Sequence, residues 1–173
     1  MNRLHLLGAT VALVAASIGP SSAQPSGDPE HWTAVSIDSL KRKDAWRRTS
    51  PNAFAQVRLD MNGDGLQDEA ALVMDRIRHR SGLRVCLAAK HPSAPADCRI
   101  LVEHDIEDAY DIMALDVRAP GCHDYNALND RADVDGRVCS RTQALDYSRF
   151  ASSSSFFLYD PKADSFNRYW DSD

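Results

Sequence analysis

Asp60, Asn62, Asp64 and Asp68 place side-chain oxygens at positions 1, 3, 5 and 9 of a short loop, with Gly65 at position 6. Calcium is a hard cation that takes about six to eight oxygen ligands in a flexible shell. Alternate residues of a tight loop can turn inward together. Gly65 permits the turn that brings the Leu66 backbone carbonyl toward the same point. The spacing therefore predicts a Ca2+ site with Asp60, Asn62, Asp64, Leu66 (through its carbonyl) and Asp68 as ligands. Its three carboxylates would repel one another without a cation, so occupancy is expected to order the loop.

No other motif carries comparable chemistry. His31, His79, His91, His104 and His123 include no His-x-x-x-His or His-Glu-x-x-His pair. There is no Gly-x-Ser-x-Gly elbow and no phosphate-binding glycine loop. His104-Asp105 and His123-Asp124 are adjacent pairs, but neighbours on a strand point to opposite faces. Glu103, Glu107 and Asp108 offer carboxylates of the kind used in glycoside hydrolysis, as any acidic surface does. A small exported hydrolase with a site assembled from scattered His, Asp and Glu residues is the alternative reading. It requires His104 or His123 to sit in a cleft with a carboxylate partner. A second acidic stretch, residues 130–136, fails as a cation loop: with Gly136 at position 6, Arg131 falls at position 1.

The elements that must position the acidic loop are strands. Ala55, Val57 and Leu59 alternate with Gln56 and Arg58, the pattern of a half-buried strand, and residues 70–74 are apolar on both faces. An EF-hand requires helices on both sides and a Glu at position 12, where this chain has Ala71. Residues 54–76 instead resemble the strand–loop–strand calcium motif Asp-x-Asn-x-Asp-Gly-x-x-Asp of FG-GAP and VCBS-type repeats. That resemblance implies the same five ligands. It departs in copy number, one here against many in a propeller, so a full propeller is not expected. The loop, together with the tail Phe-Phe-Leu-Tyr-Asp…Phe-Asn-Arg-Tyr-Trp, also resembles a group of small exported proteobacterial proteins, a likeness that implies no activity.

The rest of the chain reads as mainly β, with α+β as a variant: an antiparallel sheet of about seven or eight short strands and one N-terminal helix over 39–48, capped by Asp38. Strands are expected at 33–37, 55–59, 70–74, 83–89, 98–103, 111–117, 156–159 and 166–170, the last two as a hairpin, and residues 121–150 read as irregular and polar. The basic residues Lys41, Arg42, Lys43, Arg47 and Arg48 read as a solvated helix face.

Residues 1–23 have the order of an export signal: Arg3, an uncharged apolar run over 6–18, and small residues before a cut after Ala23. The run is too short to span a bilayer. Residues 24–31 read as a flexible linker and 32–173 as a single calcium-loop β domain. The chain carries 20 Lys and Arg against 25 Asp and Glu, a balance that argues against nucleic acid or an anionic membrane as partner. Cys86, Cys98, Cys122 and Cys139 admit three disulfide pairings. Cys86–Cys98 and Cys122–Cys139 close short loops between neighbouring elements, and zinc is disfavoured by the absence of Cys-x-x-Cys. Together these features predict a periplasmic or secreted, monomeric, non-enzymatic calcium-binding domain. It would recognise a protein or glycan partner in the envelope, in the manner of an inhibitor or immunity protein.

Overall fold

In the computed structural model the described residues are 22–23, 31–91, 93–127 and 134–171. Nearly all of the expected signal segment and linker, and residues 130–133 of the second acidic stretch, lie outside them.

The chain is mainly β, in two antiparallel sheets. The first is built from β2 (Thr33–Ala34), β3 (Gln56–Leu59), β4 (Asp68–Asp75), β5 (Arg80–Leu87) and β6 (Asp97–His104). Its order is β2-β4-β5-β6, with β3 also on β4. β2 and β3 share one edge of β4: β3 pairs with residues 68–71 and β2 with Val73 and Met74. The second sheet holds β7 (Met113–Arg118), β8 (Gly121–Ala127), β9 (Val134–Ser140), β10 (Ala144–Arg149), β11 (Ser154–Asp160) and β12 (Ser165–Trp170). Its order is β7-β10-β11-β12-β8-β9, and β1 (Ser22–Ala23) lies against β12.

Eight of these strands match the expected ones. β8, β9 and β10 occupy the stretch 121–150 that reads as irregular: β8 and β9 form a hairpin rich in polar residues, and β10 contributes only Leu145 and Tyr147 as an alternating pair to the core. β10 pairs with β7 and β11, and β8 pairs with β9. Both disulfides are present as expected, and each joins directly opposed residues. Cys86–Cys98 links β5 to β6, and Cys122–Cys139 links β8 to β9.

One apolar core lies between the sheets. Leu59, Ala70, Leu72, Met74, Leu83 and Val85 of the first sheet pack in the same cluster as Leu115, Leu145, Tyr147, Phe157 and Phe166 of the second. The central strands are apolar on both faces because the face of each sheet turned away from the shared core carries a small apolar cluster of its own. Ala71 and Val73 pack under Trp32 and Ile100. Phe156 and Leu158 pack with Ala144 under Tyr125, Val138 and Tyr169. Gly82 is required where Trp32 crosses: a Cβ there would come within 2.5 Å of the Val102 carbonyl oxygen and 3.3 Å of the Trp32 ring.

The helix is shorter than its periodicity predicts. α1 runs Ile37–Lys43, and its N-cap is Ser36, whose hydroxyl accepts a 3.3 Å hydrogen bond from the Ser39 N–H, not Asp38. Asp44 leaves the helix in an extended conformation, and Trp46–Thr49 forms a separate 3-10 turn. Within that turn Arg47 is fully buried, so the basic run is not one solvated face. Its guanidinium donates to the carbonyls of Ala53 (2.7 Å), Tyr110 (2.8 Å), Asp111 (3.0 Å) and Met113 (2.9 Å). These bonds draw the chain out of the α-helical path and tie it to the start of the second sheet. No helix among the described residues is long and apolar enough to cross a membrane.

Candidate functional site

The acidic loop is the connection 60–67 between β3 and β4, closed at its base by the pairing of Leu59 with Asp68. Its conformation follows from short side chains bonding to nearby backbone. The Asp60 carboxylate accepts from the Gly63 N–H at 2.8 Å and the Gly65 N–H at 3.0 Å. Asn62 Oδ1 accepts from the Asp64 N–H at 3.0 Å, and Asp64 Oδ1 from the Leu66 N–H at 2.9 Å. The Asn62 amide also donates to Asp64 Oδ2 at 3.2 Å. Gly63 (φ 76°) and Gly65 (φ 83°) both adopt the left-handed conformation these bonds demand. The spacing had pointed to Gly65 alone.

Asp68 stands apart from the other acidic residues. It is fully buried. One carboxylate oxygen accepts from the Met61 N–H at 2.8 Å and the other from the Ala88 N–H at 2.9 Å. It therefore staples the start of the loop to the end of β5. Burial raises its pKa above the ordinary carboxylate value, and the nearby Asp64 charge adds to that rise. The N–H bonds from Ala88 and Met61 oppose it.

Three further residues hold the loop, and none is part of the motif. Met61 is fully buried in the shared core and anchors the loop from position 2. Its only sequence signal is an apolar side chain among polar ones. The Asp60 N–H donates to Gln143 Oε1 at 2.8 Å, while the Gln143 N–H donates to the Asp60 carbonyl at 3.3 Å. Thr142 packs so closely that a Cβ on Gly63 would lie 2.9 Å from its methyl carbon. Gln143 and Thr142 lie between β9 and β10, so a loop of the first sheet is seated on the second. A partner 83 residues away leaves no trace in local spacing.

The donor chemistry suits calcium: carboxylate, amide and carbonyl oxygens, with no nitrogen or sulfur ligand. Each carboxylate oxygen can accept at a second lone pair beyond the N–H bond it already holds. Among the described residues, no group of three or more His, Cys, Asp or Glu side chains converges at metal-holding distance.

A hydrolase reading would depend on His104 or His123 beside a carboxylate. His104 Nε2 shares a 2.8 Å hydrogen bond with the Tyr147 hydroxyl. His123 lies over the Phe156 ring, 5.4 Å between centroids, and its Nε2 is buried without a hydrogen-bond partner among the described residues. The one His–carboxylate hydrogen bond among the described residues is His79 with Glu107, at 2.8 Å on the open surface. Glu103 is engaged by Arg80. Comparison with protein-family models, with curated proteins and with solved structures found no match to this chain.

Proposed function

We propose that this chain is an exported, non-enzymatic β domain in which Asp60, Asn62, Asp64, the Leu66 carbonyl and Asp68 hold one structural calcium ion. The FG-GAP/VCBS-like resemblance of residues 54–76 belongs to the same reading. The observation that carries it is the seating of the loop. Asp68 joins it to β5, and Gln143 joins it to the second sheet. An ion bound by Asp60 and Asp64 would relieve the repulsion between neighbouring carboxylates and pin both sheets through one loop. Two disulfides suit an oxidising compartment, so the periplasm or the extracellular space is the proposed location. The proposed role is recognition of a protein or glycan partner in the envelope, as an inhibitor or immunity protein would perform it.

The test is a calcium titration of the full chain, followed by calorimetry and thermal unfolding. Binding is expected with a Kd on the order of 10⁻⁴ to 10⁻³ M, as in extracellular modules, with a rise in Tm. An unchanged Tm and no heat at millimolar calcium would refute the reading. Recovery of a specific envelope partner that is lost on chelation would tie the ion to recognition.

A further inference from the structure

Arg168 is turned toward the core side of the second sheet without a counter-ion. The register shows how. Tyr147, Ser155 and Trp170 are opposed in one row across β10, β11 and β12, and Leu145, Phe157 and Arg168 in the next. Tyr147, Phe157 and Phe166 from this face belong to the shared core. The Arg168 guanidinium lies 4.0 Å from the Trp170 ring centroid, 5.4 Å from Phe157 and 5.5 Å from Tyr147. Its Nε donates to Ser155 Oγ at 3.0 Å, and Ser155 Oγ donates in turn to the Tyr147 carbonyl at 3.1 Å. Among the described residues no carboxylate pairs with Arg168, and its two Nη groups have no hydrogen-bond acceptor.

Two other arginines packed over aromatic rings have acceptors for their terminal nitrogens. Arg47 meets four carbonyls. Arg118, which lies over Phe156, is paired with Asp146 and Asp171. A guanidinium taken partly out of water gains from aromatic faces, and the Nη donors of Arg168, which stay open to solvent, have no protein acceptor among the described residues. Burial accordingly pulls the Arg168 pKa below the ordinary arginine value. From the facing sheet, β6 brings His104 to the same place, bonded to the Tyr147 hydroxyl.

We infer that Arg168, Tyr147 and His104, walled by Trp170, form a binding site for an oxyanion, a carboxylate or phosphate group carried by a small molecule. The guanidinium presents two parallel N–H donors, the geometry that matches such a group bidentately. When His104 Nε2 carries the proton and donates to the Tyr147 hydroxyl, that hydroxyl can turn its own proton to the anion as a third donor, and the half-buried Trp170 ring supplies an apolar wall for whatever bears the anion. The site shares no residue with the acidic loop and stands independently of the calcium reading.

The experiment titrates the full chain with sodium phosphate and, separately, sodium acetate against matched sodium chloride. Calorimetry and the NMR resonances of the His104 ring are followed. At tens of millimolar anion, phosphate or acetate should shift the His104 resonances saturably where chloride does not. A response to phosphate alone assigns a phosphate-bearing ligand, and a response to acetate alone a carboxylate. Arg168→Lys keeps the charge but not the fork, and Tyr147→Phe removes only the hydroxyl. Each should weaken binding at least tenfold. No response to either anion in the native chain, or native affinity in either variant, overturns the assignment.

Discussion

The carboxylate of Asp68 accepts the backbone N–H of Met61 at 2.8 Å, from a position where both residues are fully buried. Its second oxygen takes the Ala88 N–H. Asp68→Ala would strand two buried donors and open a cavity. A loss of about 3 kcal/mol is expected, since each unsatisfied buried group costs roughly 1–3 kcal/mol. Urea unfolding without calcium measures it. A change below about 0.5 kcal/mol, the range of ordinary surface substitutions, would contradict the stapling role.

Asp64 should behave differently. Its carboxylate bonds only within the loop, to the Leu66 N–H and the Asn62 amide. Asp64→Asn is expected to leave calcium-free stability within about 0.5 kcal/mol of the native chain. It should weaken calcium at least tenfold, about 1.4 kcal/mol. Equal calcium affinity in native and variant chains would remove Asp64 from the ligand set.

Arg47 offers the largest stability effect. Lysine carries a charge into the same place but cannot span four carbonyls with one ammonium. Arg47→Lys and Arg47→Met should each cost about 3 kcal/mol or more, as is usual when one side of a buried charged network is removed. The urea midpoint should fall accordingly with the m-value unchanged.

His104 makes stability depend on pH in a definite direction. Burial, with the Arg168 charge second, lowers its pKa from the ordinary 6.5. Between 6.5 and the lower folded value, the unfolded chain binds a proton that the folded chain does not. Stability therefore holds above 6.5 and declines as pH falls through that window. The urea midpoint measured at pH 7.5 and at pH 5.5 should differ less in His104→Gln than in the native chain. An identical pH dependence would refute the assignment.

The two disulfides should differ in access. Cys122 and Cys139 are exposed on the β8–β9 hairpin, whereas Cys86 and Cys98 are half-buried. Mild reductant followed by alkylation and mass mapping should label Cys122 and Cys139 first. Replacing both with serine should cost about 3 kcal/mol, as expected for a loop of that length. Faster labelling of Cys86 would reverse the order.

Several features were legible from neighbouring residues alone. Asx-type bonding and glycine conformation are local, so the spacing of Asp60, Asn62, Asp64 and Gly65 announced a tight oxygen-rich loop, and the loop has that form. Alternation in 55–59 and double-sided apolarity in 70–74 announced its flanking strands. Cysteines that close short loops announced both disulfides. What the sequence left open depends on partners far along the chain. Arg47 reads as one more basic residue until carbonyls from Tyr110, Asp111 and Met113 surround it. Asp68 reads as a ligand position only, with no local sign that its carboxylate also takes the Met61 and Ala88 N–H groups. Strands β8 and β9 are polar and show no clear period, and the Leu145–Tyr147 alternation of β10 is too short to stand out before β7 and β11 pair with it. Arg168 carries no local signal of its place until strand register turns it inward beside Tyr147. Backbone bonding and side-chain spacing act over a few residues and are written in the sequence. Burial and ion pairing depend on which distant groups share a place, and only the packed sheets decide that.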